Sequence, residues 1–413
     1  MSVPDSRRDV TEMTATERGV GLADQSADLE TVLAWFRRMR EKEPVSHDGE
    51  AGVWHVFRHA DAERILADPG TFSSDFSSFM APQEDVARFI KGNLLRKDPP
   101  QHRKLRTLVS KVFTPGMVAR LAPRIEVITD ELLDAKAGAE QIELVSDLAY
   151  PLPVIVIAEL LGIPTEDRPM FGRWADALVA PESQTSFIPN PERTKSMAIV
   201  MREMNAYCLE HIRRRRARPE DDLASRLVEA EVDGQRLDDE EIIGFVGLLL
   251  LAGHITTTAL LGNVVLCLDE HPEAAAALRA DSGLLPGAIE EVLRFRTPLA
   301  PSMRRTTRDA RIGEHTVPAG RIVLAWLASA NRDERKFSEP DRFDIRRTPN
   351  AHLSFGHGIH FCLGAPLARL EVRIAVRKML ARWSAMSVGE GAEYHDARGI
   401  VGAKRLPLHL RWA

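Results

Sequence analysis

The residue whose surroundings hold the most chemistry is Cys362, near the end of Phe355-Gly356-His357-Gly358-Ile359-His360-Phe361-Cys362-Leu363-Gly364. A thiolate is nucleophilic, binds metals and is costly to bury. The next residues, Ala365-Pro366-Leu367-Ala368-Arg369-Leu370-Glu371, read as the opening of a helix. A helix start offers unpaired backbone N–H groups and the positive end of a dipole, which favour deprotonated sulfur. Gly356, Gly358 and Gly364 let the backbone turn sharply and approach a flat ligand, and the phenylalanines can exclude water. Cys208 and Cys267 lie in helical patterns without such neighbours and read as small buried hydrophobes.

One sulfur in such a loop suits ligation of a haem iron. The order Phe-Gly-x-Gly-x-His-x-Cys-x-Gly is met at Phe355, Gly356, Gly358, His360, Cys362 and Gly364, and there the chain resembles the cytochrome P-450 family of haem-thiolate monooxygenases. The resemblance runs from about Asp28 to the end. It implies a mainly α fold with small β-sheets, in which heme b lies between a long central helix and the cysteine-loop helix. It implies one domain over residues 29–413, and residues 1–28, polar and aperiodic, are expected to be a flexible segment. Cys362 would be the axial thiolate, with Phe355, Gly356, His360 and Gly364 bordering the cofactor. Asp98-Pro99-Pro100-Gln101-His102-Arg103-Lys104-Leu105-Arg106 starts a helix with prolines at its entrance. His102 and Arg106 are four apart and share a face. By resemblance both donate to the haem propionates, with Arg304 as a third donor, or Arg305 if the register slips.

Ala252-Gly253-His254-Ile255-Thr256-Thr257 lies midway along a long apolar helical pattern. In the family the small residue and glycine make room for oxygen beside the iron, and an acid followed by a threonine passes protons. Splitting dioxygen consumes protons, which a hydroxyl and an acid in a dry groove can relay from water. Ala252, Gly253, Thr256 and Thr257 are therefore the expected oxygen site. The acid's position holds Ile255, which has no titratable group. His254 is adjacent, but one residue along a helix turns a side chain by roughly 100°. A structural hydrogen bond is the expectation for it. Three explanations compete: water with Thr256 or Thr257 carries the protons, the substrate's own polar group does, or the reaction departs from ordinary hydroxylation.

Further roles follow from the resemblance. Glu291 and Arg294, three apart on a helix, would form a buried ionic triad with Arg342 and hold the cysteine loop. Phe72 to Arg96 reads as a long loop with a helical turn or two that covers the substrate, with Phe76, Phe79 and Phe89 as substrate candidates. Leu299 and Ala300 are apolar wall candidates, and Ile400 and Val401 lie in a loop near the ligand. Pro181, Pro189 and Pro191 separate two helical patterns between Phe171 and Met204, and Ala180 to Asn190 is the expected moving tip.

Along the rest of the chain, Leu29 to Glu41 carries a helical pattern, Val53 to Phe57 a short strand and Asp61 to Ala67 a helix. Met117 to Leu161 reads as helical, ended by Gly162-Ile163-Pro164. Strands flank the turn at Val317-Pro318-Ala319-Gly320.

A net charge of −5 over 413 residues gives no broad nucleic-acid or membrane signal. The run Arg213 to Arg216 is followed by Arg218-Pro219-Glu220-Asp221-Asp222 and reads as a solvated helix end. Three widely separated cysteines are no disulfide framework. The first residues lack the apolar core of a signal or anchor. Gly244 to Leu268 is long enough to span a bilayer, but polar residues interrupt it and Asp238-Asp239-Glu240-Glu241 precedes it. A buried helix of a cytoplasmic protein is expected. No flavin or nicotinamide fingerprint is present, so electrons are expected from a separate ferredoxin and ferredoxin reductase, with Arg103, Lys104 and Lys111 as docking charges. The expected protein is a monomer that hydroxylates or epoxidises an apolar small molecule, a secondary metabolite. Its rivals are an enzyme of the same fold giving desaturation, ring formation or coupling, and a haem-bearing binding protein without turnover.

Overall fold

The computed structural model describes residues 28–77, 84–179 and 191–413. Phe79, the segment 1–27 and the expected tip Ala180 to Asn190 lie outside the described residues. The helices used below are α1 (Leu29–Lys42), α2 (Gln101–Val112), α3 (Ala122–Asp134), α4 (Pro151–Leu160), α5 (Arg168–Val179), α6 (Pro191–Ala217), α7 (Asp239–Glu270), α8 (Leu285–Phe295) and α9 (Ala365–Arg382). The strands are β1 (Val45–Asp48), β2 (Val53–Val56), β3 (Phe72–Ser73), β4 (Gln141–Glu143), β5 (Pro301–Thr306), β6 (Ile322–Trp326), β7 (Trp383–Val388) and β8 (Pro407–Trp412). The fold is mainly α with small sheets.

The spine is α7. Asp238 caps it, accepting from the Glu241 N–H while the Glu241 carboxylate accepts from the Asp238 N–H, so two orphan donors are satisfied reciprocally. The helix is apolar all round, as a helix buried on every side must be. It packs against α4, α6, α8, α9 and the short helix Glu84–Lys91. The last contact is close because α7 carries glycine there: a Cβ on Gly247 would lie 2.6 Å from the Phe89 ring. Phe89, 5 % exposed, is thus a packing residue between two helices and not part of a ligand surface.

The larger sheet runs β1-β2-β6-β5-β3, with β2 and β6 parallel and the other pairs antiparallel. Val32, Trp35 and Phe36 of α1 pack on one side of it, against Trp326 of β6. A second sheet, β7-β8-β4, closes the far end. Its strand β4 interrupts the stretch Met117 to Leu161, which local periodicity predicts as helical. Ile142 pairs with Leu408, a partner far along the chain that no local pattern reveals. Within Phe72 to Arg96, the expected loop contains β3, the helix Glu84–Lys91 and the turn Leu94–Arg96.

The basic run at the end of α6 is a solvated helix end at Arg213, Arg214 and Arg216, with Arg215 turned in. Arg215 pairs with Asp222 and donates to the Gly162 carbonyl at 2.9 Å.

Candidate active site

The cysteine loop is shaped by two glycines in the left-handed region, Gly356 at φ 72° and Gly358 at φ 71°. A Cβ on Gly358 would also sit 2.7 Å from the Leu66 carbonyl oxygen. The Cys362 N–H donates to the Phe355 carbonyl at 2.9 Å, which closes the loop. Gly364 stands just before α9 at an ordinary φ of −80°, so the sharp turn expected of it is absent. Phe355 is half-buried under the Arg369 guanidinium, 4.4 Å from its centroid, whereas Phe361 is 43 % exposed and excludes little water. Arg369 is fixed in turn by a two-pronged pair with Glu290 at 2.7 and 2.6 Å.

Burial pushes the Cys362 thiol up, while the N–H groups of Gly364 and Ala365 and the charges of Arg106 and Arg369 pull it down. Burial is the larger effect, so the helix start alone does not hold the sulfur deprotonated. Coordination to a cation does that outright.

Around this sulfur the fold assembles His102, Arg106, Arg304 and His360. The His102 and His360 rings stand 4.5 Å apart, edge to face. Each has a buried Nε2 without a partner among the described residues. Burial, then Arg304, His102 and Arg106, lower the His360 pKa to about 3. Strand alternation in β5 turns Arg304 inward, 8 % exposed, and sends Arg305 to the Asp75 carbonyl at 3.3 Å. Arg304 donates to Ser302 Oγ at 3.1 Å and the Met303 carbonyl at 2.8 Å, and no carboxylate among the described residues pairs with it. Burial lowers its pKa to about 10. A buried guanidinium, Arg304, a half-buried one, Arg106, and orphaned imidazole nitrogens in one place call for an anion with several acceptor oxygens. Two propionates on a flat macrocycle have that chemistry, and one thiol beside them has the chemistry of an axial ligand. The residues fit haem.

On α7, Ala252 is exposed and Leu249, Leu251, Gly253, Ile255 and Thr256 are partly so, an accessible face midway along a helix that is buried to either side. Thr256 Oγ1 donates to the Ala252 carbonyl at 2.8 Å and Thr257 Oγ1 to the Gly253 carbonyl at 3.0 Å. Each hydroxyl oxygen keeps lone pairs for accepting a further proton donor. His254 is buried, with Nδ1 at 3.2 Å from the Leu250 carbonyl and its ring edge-on to Tyr150 at 5.2 Å. It points away from the accessible face. Gly253 has a reason of its own to be glycine: a Cβ would lie 2.6 Å from Ile157 Cδ1. That contact joins α7 to α4, a packing reason for glycine beside the expected one of making room for oxygen.

Leu299 is 43 % exposed and bridges backbone to backbone with Ile400. Ala300, Ile400 and Val401 are 0, 3 and 3 % exposed, so their side chains serve the core and only Leu299 offers surface. The loop carrying Ile400 and Val401 is pressed on α7, since a Cβ on Gly402 would lie 2.8 Å from that of Ala259. Phe76 is buried beneath the Arg96 guanidinium.

The ionic triad takes a different third arginine from the expected Arg342. Glu291 and Arg294 are fully buried and joined by two bonds of 2.8 Å. The third arginine is Arg347, whose Nε lies 3.1 Å from Glu291 Oε1. The Arg342 guanidinium is exposed and pairs with Glu339, and only its carbonyl accepts from Arg294. This segment is irregular, so a local spacing does not say which arginine turns inward. Arg294 also donates to the Asn331 carbonyl at 3.0 Å, and Asn331 Oδ1 accepts from the Leu353 N–H at 2.7 Å, linking the pair to the cysteine loop. Two of the expected docking charges are also spent internally: Lys104 reaches Glu241 at 2.7 Å and Lys111 the Glu231 carbonyl at 2.7 Å. Arg347 and Glu290 carry no signal in the sequence beyond their charge.

Comparison with known proteins adds an independent line. A family model described as cytochrome P450 matches residues 22–393. The cyclomarin C epoxidase CymV of Salinispora arenicola is 46 % identical over 378 residues, 91 % of this chain and 95 % of that protein. The erythromycin C-12 hydroxylase of Saccharopolyspora erythraea is 46 % identical over 400 residues, 96 % of this chain and 98 % of that one. Among solved structures, ligand-free cytochrome P450 TbtJ1 superposes with a TM-score of 0.85 at 46 % identity, covering 94 % of this chain and 99 % of its own. The chain belongs to the cytochrome P450 family and is a P450 monooxygenase.

Proposed function

We propose that the protein hydroxylates or epoxidises an apolar secondary metabolite, as a cytoplasmic monomer supplied with electrons by a separate ferredoxin and ferredoxin reductase. The observation that carries this reading is the group of buried His102 and Arg304 with half-buried Arg106 and His360 beside Cys362, together with relatives named for epoxidation of cyclomarin C and hydroxylation of erythromycin. Bound through Cys362, haem supplies dioxygen activation and insertion of one oxygen atom into substrate. The two arginines and two histidines would hold its propionates. Leu299 and the accessible face of α7 would border the substrate. Thr256, its proton held by the Ala252 carbonyl, orders a water through its free lone pairs. Ile255 supplies no proton, so delivery falls to water or to a polar group of the substrate.

The experiment is reconstitution with a ferredoxin, its reductase and NADPH under isotopically heavy dioxygen. The expected product gains one heavy oxygen atom. Ile255 favours one second reading, a reaction that ends in desaturation, ring formation or coupling. Its product would carry no heavy oxygen and would have lost hydrogen.

A further inference from the structure

Asn263, fully buried on α7, stands two turns beyond Thr256. At that spacing Thr256, Ala259 and Asn263 follow one another along one side of the helix. The accessible face ends after Thr256, because Ala259 is covered by Gly402, where a Cβ would lie 2.8 Å from that of Ala259. One turn further on, Asn263 Nδ2 donates to the Arg296 carbonyl at 3.0 Å and to the Val401 carbonyl at 2.8 Å. Two carbonyls can be met only by the nitrogen of the amide, and both of its protons are used. Its helix neighbours Leu260, Leu261 and Val264 are apolar and buried. What the amide adds over a leucine of similar size is direction.

The direction joins α7 to two segments at once. Arg296 ends α8 and leads into Thr297-Pro298-Leu299-Ala300, and Val401 follows Gly399 and Ile400. The two segments are also stitched to each other. The Val401 N–H donates to the Pro298 carbonyl at 3.0 Å, the Ala300 N–H to the Gly399 carbonyl at 2.9 Å, and Leu299 and Ile400 form the bridge between them. Thr297, Pro298, Ala300 and every residue from Ala397 to Ala403 are buried, and Leu299 alone among these is exposed. Its backbone is held on both flanks, so its side chain stands where the stitched pair is seated on α7.

We infer that Asn263 is a positioning residue for the reaction: by seating both segments on α7 it fixes Leu299 as a wall beside Thr256, and so decides which ligand shapes the site accepts. The inference rests on the reading that Leu299 and the accessible face of α7 border the substrate of a haem monooxygenase. That reading fails if wild-type holoprotein lacks a thiolate-type carbonyl spectrum, or if Leu299→Ala binds every ligand as wild type does. The present inference is judged on protein in which neither failure occurs.

The test uses ferric holoprotein and two nitrogen ligands of the iron, imidazole and phenylimidazole, which differ by a ring that needs room on the substrate side. Dissociation constants are read from the Soret shift for wild type, Asn263→Ala, Leu299→Ala and the double variant, alongside hydrogen exchange of the two segments. Two neutral hydrogen bonds together shift an equilibrium by on the order of tenfold to a hundredfold. In Asn263→Ala the amides of Ala300 and Val401 are therefore expected to exchange about tenfold faster or more. Imidazole is expected to bind within about twofold of wild type and phenylimidazole about tenfold more weakly, since a displaced wall buries less of its ring. Leu299→Ala weakens phenylimidazole to a similar degree, and the double variant loses no more than the worse single one, because both changes act through one wall. A merely structural role would weaken both ligands alike. An unchanged ratio of the two constants in Asn263→Ala would overturn the inference, and so would losses that add in full. Should Asn263→Ala not fold, Gly402→Ala takes its place: its Cβ would press on Ala259 and lift the same segment, and an unchanged ratio there overturns the inference equally.

Discussion

Arg347 Nε reaches Glu291 Oε1 at 3.1 Å, and with that bond the fully buried Glu291–Arg294 pair gains its third charged member. Glu291 also accepts from the Asp344 N–H at 2.9 Å and from Asn350 Nδ2 at 3.1 Å, so its lone pairs are filled. A buried ion pair is tolerable only when completed in this way. Arg347→Ala is expected to cost about 1.5–3 kcal/mol, the loss of a hydrogen bond between charged groups. Arg342→Ala, at an exposed guanidinium, should stay within about 0.5 kcal/mol. Arg294→Ala should cost about 3–5 kcal/mol and yield protein without haem. Urea unfolding and haem content of the three variants check the ranking.

Gly253 and Ile157 make a second testable pair. A Cβ at residue 253 would fall 2.6 Å from Ile157 Cδ1, the far end of a side chain that can move only into packed surroundings. Gly253→Ala is expected to lose about 1–3 kcal/mol, as overpacked cores do. Adding Ile157→Val should recover part of that loss, because it removes the clashing carbon. A double-mutant cycle without coupling would show that the glycine is there for another reason.

At position 255 the prediction concerns protons. Ile255 is half-buried one residue before Thr256, and His254 on its other side is turned toward Tyr150. Introducing an acid by Ile255→Glu is expected to raise product formed per electron pair and to shrink the solvent isotope effect. If neither changes, Ile255 is only a packing residue.

Glu371 sets a pH dependence. It is 1 % exposed, its Oε1 has no partner among the described residues, and burial raises its pKa to about 8. In the native protein it stays protonated up to that pH, while in the unfolded chain it ionises above its ordinary value of 4.5. The native state therefore binds more protons in this window, and stability falls as pH rises through it. Glu371→Gln cannot ionise. It is expected to remove this part of the decline and to exceed wild type near pH 8 by on the order of a few kcal/mol. Parallel wild-type and variant stability curves across the window would contradict this.

What could be read in the sequence is what short stretches encode. Gly356 and Gly358 mark left-handed turns, and the capping acids before α7 announce a helix start. His102 and Arg106 share a face because they are one helical turn apart. What could not be read depends on partners distant in the chain. Strand phase decides that Arg304 and not Arg305 turns inward, and an irregular segment decides that Arg347 and not Arg342 meets Glu291. The resemblance puts Ala300, Ile400 and Val401 on segments near the ligand, but neither it nor their apolarity separates a core face from a ligand face. The replacement of an acid by Ile255 was visible at once; its chemical consequence belongs to water and substrate.

Cys362 as the ligand of haem iron is the assignment on which every other role depends. The most direct measurement is the absorption spectrum of the reduced, haem-loaded protein under carbon monoxide, for wild type and Cys362→Ala. Wild type is predicted to show the Soret band at the long-wavelength position typical of thiolate ligation, and Cys362→Ala to lose it together with turnover. A wild-type band at the position typical of nitrogen ligation, or full turnover by Cys362→Ala, would contradict the account.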